Sequence, residues 1–153
     1  MPMQQILKTI KKKLEASVCK RLMADRPIGS LLSGGLDSSL VTALLAKHFK
    51  GKKLRTFSIG LKGATDLKYA RMVADHIGSQ HHEIVVTEKD MLDAIEEVIY
   101  RTETWDTTTI RASIPMVLLS KYIKKNTDSV VIYSGEGADE ASGSYMYFHN
   151  APS

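Results

Sequence analysis

Two short stretches of this chain carry residue types that bind and polarise anions. The first is Ser33-Gly34-Gly35-Leu36-Asp37-Ser38-Ser39. Glycines let a backbone turn sharply and expose its N–H groups, and three serines add hydroxyl donors. An apolar run, Ile28 to Leu32, leads in, and a helical pattern of Leu40-Val41 with Leu44-Leu45 leads out. Strand, glycine turn and helix together build an anion site. The free N–H groups and the positive dipole end of the helix point at the turn. Asp37 would repel a bare phosphate, but it fits where a divalent cation lies between it and the phosphates. The plain alternative is a Gly/Ser turn that merely ends a strand.

The second stretch is Ser134-Gly135-Glu136-Gly137-Ala138-Asp139-Glu140, which follows the short apolar run Val130 to Tyr133. It repeats the logic of strand and glycine loop, now with carboxylates at Glu136, Asp139 and Glu140. Open parallel sheets bind ligands at the carboxyl ends of their strands, where the strand order reverses. The two loops converge on one crevice if strands one and four are neighbours. The alternative here is an acidic, solvated turn.

The elements that must position these loops follow from periodicity and punctuation. Residues 4–24 read as an amphipathic helix, with Leu7, Ile10, Leu14, Val18 and Leu22 spaced by three or four and Lys11, Lys12 and Lys13 on the wet side. It lacks the aromatic anchors of a membrane-surface helix, so it is expected to pack on its own domain. Pro27 ends it. After the first strand and loop comes a helix through Phe49, then a strand from Leu54 to Ile59. Asp66 is expected to cap a helix that runs to Ile77 and stops at Gly78. His82 to Val86 is a third strand. Thr87 is expected to cap a helix carrying Met91, Leu92, Ile95, Val98 and Ile99. Ile110 to Lys125 is a further helix, and Val130 to Tyr133 is strand four. Alternating strands and helices predict an α/β fold, a parallel sheet with right-handed crossovers. No repeat or linker interrupts it, so residues 1–153 read as one domain.

Composition narrows the classes. Hydrophobic residues make up 43% and charged residues 25% of 153, ordinary values for a globular chain. No apolar run reaches membrane-spanning length, and no signal-peptide pattern is visible. The single cysteine, Cys19, excludes an internal disulfide and a Cys-rich zinc site. A cytoplasmic setting is expected. The net charge of +4 is spread rather than gathered in a stripe, so neither nucleic acid nor membrane is expected as a partner. His76, His81, His82 and Glu83 match no compact zinc motif. Trp105 suits either a pocket wall or the core.

The first loop lacks the spacing and lysine of the G-x-x-x-x-G-K-[ST] signature. It resembles the pyrophosphate loop, S-G-G-x-D-S, of the N-type ATP pyrophosphatases. Further stretches extend the likeness: Phe57-Ser58-Ile59-Gly60, Ala74-Asp75-His76-Ile77-Gly78, Glu103-Thr104-Trp105-Asp106, Thr108-Thr109-Ile110-Arg111-Ala112-Ser113 and Ser134 to Glu140. With these, the chain from about Arg21 onward resembles asparagine synthetases of the glutamine-using type. The resemblance implies an adenine-nucleotide α-hydrolase-like sheet of order 3-2-1-4 with helices on both faces. It implies that Leu31 and Ile59 flank the adenosine of ATP. Ser33, Gly34, Gly35, Asp37, Ser38 and Ser39 would hold pyrophosphate, with Ser134 and Gly135 closing on the nucleotide. Asp37 and Asp139 would be the Mg²⁺ carboxylates. Glu136 would face the activated acyl group and take a proton from ammonia. Arg111 and its neighbouring threonines would bind aspartate or stabilise developing charge.

The departures set further expectations. The family begins with a glutaminase domain whose nucleophile is an N-terminal cysteine. Here Pro2 follows Met1 and Cys19 lies inside a predicted helix, so no glutaminase is expected in this chain. The resemblance stops in mid-domain, and the later part is implied to supply further helices and a catalytic lysine. The domain is therefore expected to be incomplete, with Tyr145, Tyr147 and Phe148 short of cover. A glutaminase or the missing half in trans, or self-association, would be the partner. Two alternatives remain open: a nucleotide-binding module without turnover, and another pyrophosphatase-loop ligase such as a β-lactam synthetase.

Overall fold

The computed structural model describes residues 2–49 and 51–150. The chain runs α1 (Met3–Arg21), β1 (Ile28–Leu31), α2 (Leu36–Ala46), β2 (Arg55–Leu61), α3 (Thr65–Ile77) and β3 (Gln80–Val86). It continues through α4 (Glu88–Asp93), α5 (Ile95–Thr102), α6 (Thr107–Asn126), β4 (Val131–Tyr133), α7 (Ala138–Ser142) and a closing 3₁₀ turn, Met146–Asn150. The four strands form one sheet in the order β3-β2-β1-β4, parallel throughout. This is the architecture that the alternation of elements and the family resemblance imply. Central β1 pairs Gly29 with Arg55 on one side and with Ile132 on the other. A Cβ at Gly29 would lie 2.6 Å from Phe57 Cε2, so the missing side chain is what lets the Phe57 ring lie across β1.

Side chains alternate between two packed layers. Phe57 meets Leu119 and Ile123 of α6, with Leu31, Ile59 and Ile132 around them. On the opposite face, Leu44 and Leu45 of α2 join Val18, Leu54 and Tyr133, and Leu32 packs with Ala70 and Ala74 of α3. Helices therefore cover both faces, and both loops emerge at the same end of the sheet.

Local differences from the sequence reading have physical causes. Helix α1 packs through its C-terminal half, where Leu14, Val18 and the C-cap residue Leu22 reach the α2 cluster. Met3, Leu7 and Ile10 stand 68%, 57% and 56% exposed. Ala64, not Asp66, is the N-cap of α3, and Asp66 sits in its first turn, where a carboxylate meets the positive dipole end. The helix expected after Thr87 breaks at Ala94 into α4 and α5. Thr87 does cap α4, in a reciprocal capping box with Asp90. Helix α6 starts earlier than expected because the Asp106 side chain accepts the Thr109 N–H at 2.7 Å. The side chain of Tyr147 lies outside the described residues, whereas Tyr145 and Phe148 bring their rings to 5.8 Å. No helix among the described residues is long and apolar enough to cross a membrane.

Candidate functional site

The first glycine loop is held in place by what cannot fit beside it. Gly34 has φ +85, and a Cβ there would come 2.5 Å from the Ala70 nitrogen and 2.6 Å from Tyr69 Cβ. Only glycine combines that conformation with that approach to α3. Gly35 is the N-cap of α2, and no side chain caps the helix. The first-turn N–H groups of α2 therefore have no intrahelical acceptor. The loop is braced from within: Ser33 N–H donates to Ser38 Oγ at 3.2 Å, the two hydroxyls lie 2.9 Å apart, and Gly35 N–H donates to Ser33 Oγ at 3.3 Å. The Oγ of Ser39 is buried without a hydrogen-bond partner among the described residues.

The second loop leaves β4 and runs directly over this turn. A Cβ at Gly135 would lie 2.8 Å from the Ser38 nitrogen. Glu136 N–H donates to Ser134 Oγ at 3.1 Å, Ser144 Oγ donates to Asp139 Oδ1, and Tyr145 O–H donates to Glu140 Oε1 at 2.8 Å. These contacts shape the acidic loop into one wall of a cleft.

The cleft between the loops holds about 250 Å³. Leu31, Ser33, Gly35, Asp37, Ser38, Ile59, Ser134, Gly135, Glu136 and Asp139 all line it, so most of the residues singled out from the sequence meet in one place. Gly34 stands behind the wall, against α3, and Ser39 does not reach the cleft. Arg111 is exposed near the start of α6 and does not line it either. Trp105, expected in a pocket or the core, is 86% exposed. The sequence reading missed Asp66, Leu67 and Met116 as lining residues. Asp66 was visible only as a helix-start residue, and the Met116 position depends on how α6 is rotated.

Charge in the cleft is one-sided. Asp37, Asp66, Glu136, Asp139 and Glu140 line it, and among the described residues no Lys or Arg does. An anionic ligand would enter only with a cation and through backbone N–H groups. Among the described residues no group of three or more His, Cys, Asp or Glu stands close enough to hold a metal. Two carboxylates, Asp37 and Asp139, suit Mg²⁺, which takes one or two carboxylates and completes its shell with water and ligand phosphates.

The two adjacent histidines of β3 face opposite ways, as alternation requires. His81 Nδ1 lies 2.9 Å from Thr56 Oγ1 and its Nε2 lies 3.0 Å from Ser58 Oγ. Burial, and then the nearby Arg71 charge, lowers its pKa to about 4. His82 packs against Phe57 at 5.2 Å, with Nδ1 3.4 Å from the Tyr122 hydroxyl. Its pKa is lowered by burial and then by Arg55. Each ring has its own packing partners on its own face, which leaves no shared metal site.

The solved structures similar in fold include an NMN synthetase from Francisella tularensis, at TM-score 0.54 and 20% identity, covering 92% of this chain and 59% of that one. Another is an ammonia-dependent NAD synthetase from Campylobacter jejuni, at TM-score 0.55 and 19% identity, covering 97% and 63%. This level of likeness carries the fold alone, an adenine-nucleotide α-hydrolase-like parallel sheet of order 3-2-1-4. Curated relatives are far more similar in sequence. The glutamine-hydrolyzing asparagine synthetase of Homo sapiens is 57% identical over 141 residues, 90% of this chain and 25% of that protein. The one from Gallus gallus is 56% identical over 155 residues, 96% and 28%. The chain thus spans about a quarter of the length of these relatives. The asparagine synthase family profile matches residues 9–153, nearly all of the cleft-forming fold, and the chain belongs to that family.

Proposed function

We propose that this chain forms the ATP-binding part of an AMP-forming amide ligase that makes asparagine from aspartate. The observation that carries the reading is the backbone contact of Gly135 with Ser38, which joins two glycine loops into one cleft at an uncapped helix N-terminus. In this reading the α2 N-terminus and the hydroxyls of Ser33 and Ser38 take the β,γ-pyrophosphate. Gly34 shapes the loop from behind, Ser39 supports it from α2, and Leu31 and Ile59 flank the adenosine. Asp37 and Asp139 hold Mg²⁺, which when bound neutralises phosphate charge.

The aspartate β-carboxylate oxygen attacks the α-phosphorus, the bond to pyrophosphate breaks, and β-aspartyl-AMP forms. Ammonia then attacks the acyl carbon and AMP leaves. Glu136 lines the same cleft and takes the proton that the attacking nitrogen sheds. Arg111 lies outside this wall, so its proposed part in aspartate binding rests on the family resemblance alone. We place the protein in the cytoplasm, with the remaining portion of the longer relatives completing the pocket.

A second reading, a nucleotide-binding module without turnover, is favoured by the lack of Lys or Arg among the described residues of the cleft wall. Each missing electrostatic contact in a transition state lowers rate by about 10²–10³. The test is AMP, pyrophosphate and asparagine formation by the chain with aspartate, ammonia and Mg-ATP. Stoichiometric AMP and asparagine support the ligase reading. Tight ATP binding without AMP supports the second, and ATP hydrolysis to ADP contradicts both.

A further inference from the structure

Helix α1 extends past the surface that holds it. Leu14, Val18 and Leu22 pack on the α2 cluster, whereas Met3, Leu7 and Ile10 are more than half exposed and Ile6 is exposed beside them. Met3, Leu7, Ile10 and Leu14 follow one another in steps of four, three and four. That is the a/d seam of a coiled coil, narrower than the stripe of a helix lying on a domain. Residues 3–13 alone would be marginal as a helix in water, so they persist as an extension of the docked half. The flanks of the seam are basic: Lys8, Lys11, Lys12 and Lys13 are exposed, and residues 2–14 contain no Asp or Glu. Glu15 turns toward Lys47 at 3.9 Å. None of these four flanking lysines has an ion-pair partner among the described residues. Lys11 and Lys13 hold the e and g positions between Ile10 and Leu14.

We infer that residues 3–14 of α1 are a docking seam for an amphipathic helix with acidic flanks, contributed by a different polypeptide. Charge selects the occupant. In a coiled coil the e and g side chains choose the partner, and here Lys11 and Lys13 offer positive charge alone. A second copy of the chain would lay the same lysine run alongside itself, and like charges oppose that pairing. A bilayer surface favours a broad apolar face carrying aromatic rings, whereas this seam is narrow and residues 3–21 contain no Phe, Trp or Tyr. An acidic helix closes Met3, Leu7 and Ile10 off from water and sets carboxylates beside Lys11 and Lys13. No described residue of α1 lines the cleft, so this surface is separate from the proposed nucleotide site.

The test uses the 153-residue chain and a pair of synthetic helical peptides with Leu at a and d and either Glu or Lys at e and g. Fluorescence anisotropy at low salt should show the acidic peptide binding about tenfold or more tightly than the basic one, a preference that shrinks as salt rises. Ile10→Asp, at an exposed position, should abolish binding while circular dichroism shows the fold intact. Lys11→Glu combined with Lys13→Glu should reverse the preference. Equal affinity for the two peptides, or a preference that survives the charge reversal, overturns the inference. So does a dimer in sedimentation that Ile10→Asp dissolves, which makes a second copy the occupant. Tighter binding to phosphatidylserine vesicles than to the acidic peptide overturns it in favour of a membrane.

Discussion

Gly135 and Ser38 are in backbone contact: a Cβ on Gly135 would lie 2.8 Å from the Ser38 nitrogen and 3.0 Å from the Asp37 carbonyl carbon. The obstacle is main chain at the start of α2, which cannot turn aside as a side chain tip would. Gly135→Ala should therefore push the β4 loop off the α2 N-terminus. We expect about 1–3 kcal/mol of lost stability, the usual penalty of overpacking, and a clear loss of nucleotide affinity. Thermal melts and calorimetry on the variant measure the two effects. An alanine variant with unchanged affinity would show that the two loops need not touch.

Gly34 faces the opposite constraint, because its φ of +85 adds conformational strain to a clash with Ala70 and Tyr69 of α3. Gly34→Ala is expected to lose more than Gly63→Ala, where φ is +79 but nothing lies within 4 Å. The strain common to both is about 1 kcal/mol, and the clash adds about 1–3 kcal/mol at Gly34 alone. Urea denaturation of the two variants side by side isolates the clash.

His81 makes stability depend on pH. Its folded pKa, about 4, lies below the ordinary histidine value of 6.5, so between these values the unfolded chain binds more protons than the folded one. Stability is then fully present above pH 6.5 and is lost as pH falls toward 4. His82 is shifted in the same direction and adds to the slope. Allowing for partial solvent access, His81 contributes about 1–2 kcal/mol over that window. Urea melts at pH 7.0, 5.5 and 4.5 should show the loss, and His81→Asn should flatten it. An equal slope in that variant would assign the effect elsewhere.

The two halves of α1 should respond differently to truncation. Val18 is 5% exposed while Leu7 is 57% exposed. Val18→Ala is expected to destabilise by about 1–2.5 kcal/mol, and Leu7→Ala to stay within about 0.5 kcal/mol. Equal losses at both positions would mean that the first turns of α1 are covered in solution.

How much of this was legible in the sequence depended on the range of the interaction. The Ser33–Ser39 loop was readable because glycine, serine and acid spacing is local chemistry. The 3-2-1-4 order was not readable from periodicity, which gives strands but not neighbours, and came from the family resemblance. Periodicity showed the Leu7–Leu22 stripe of α1, yet it could not say that the partner surface ends at Leu14. Arg111 was matched by motif, but whether a helical side chain reaches a cleft depends on the rotation of all of α6. The Ser58–His81 link required the β2–β3 register, in which Thr56 pairs with His81. No pattern within either strand reveals that.

The central claim is that the cleft binds ATP with Mg²⁺ through the Ser33–Ser39 loop and Asp37. Calorimetric titration of the 153-residue chain with ATP, with and without Mg²⁺, alongside Asp37→Asn, tests it most directly. The account predicts one-to-one binding that strengthens markedly with Mg²⁺ in the wild type and loses most of that dependence in Asp37→Asn, with the fold intact. Absence of binding, or the same magnesium dependence in both proteins, would contradict it.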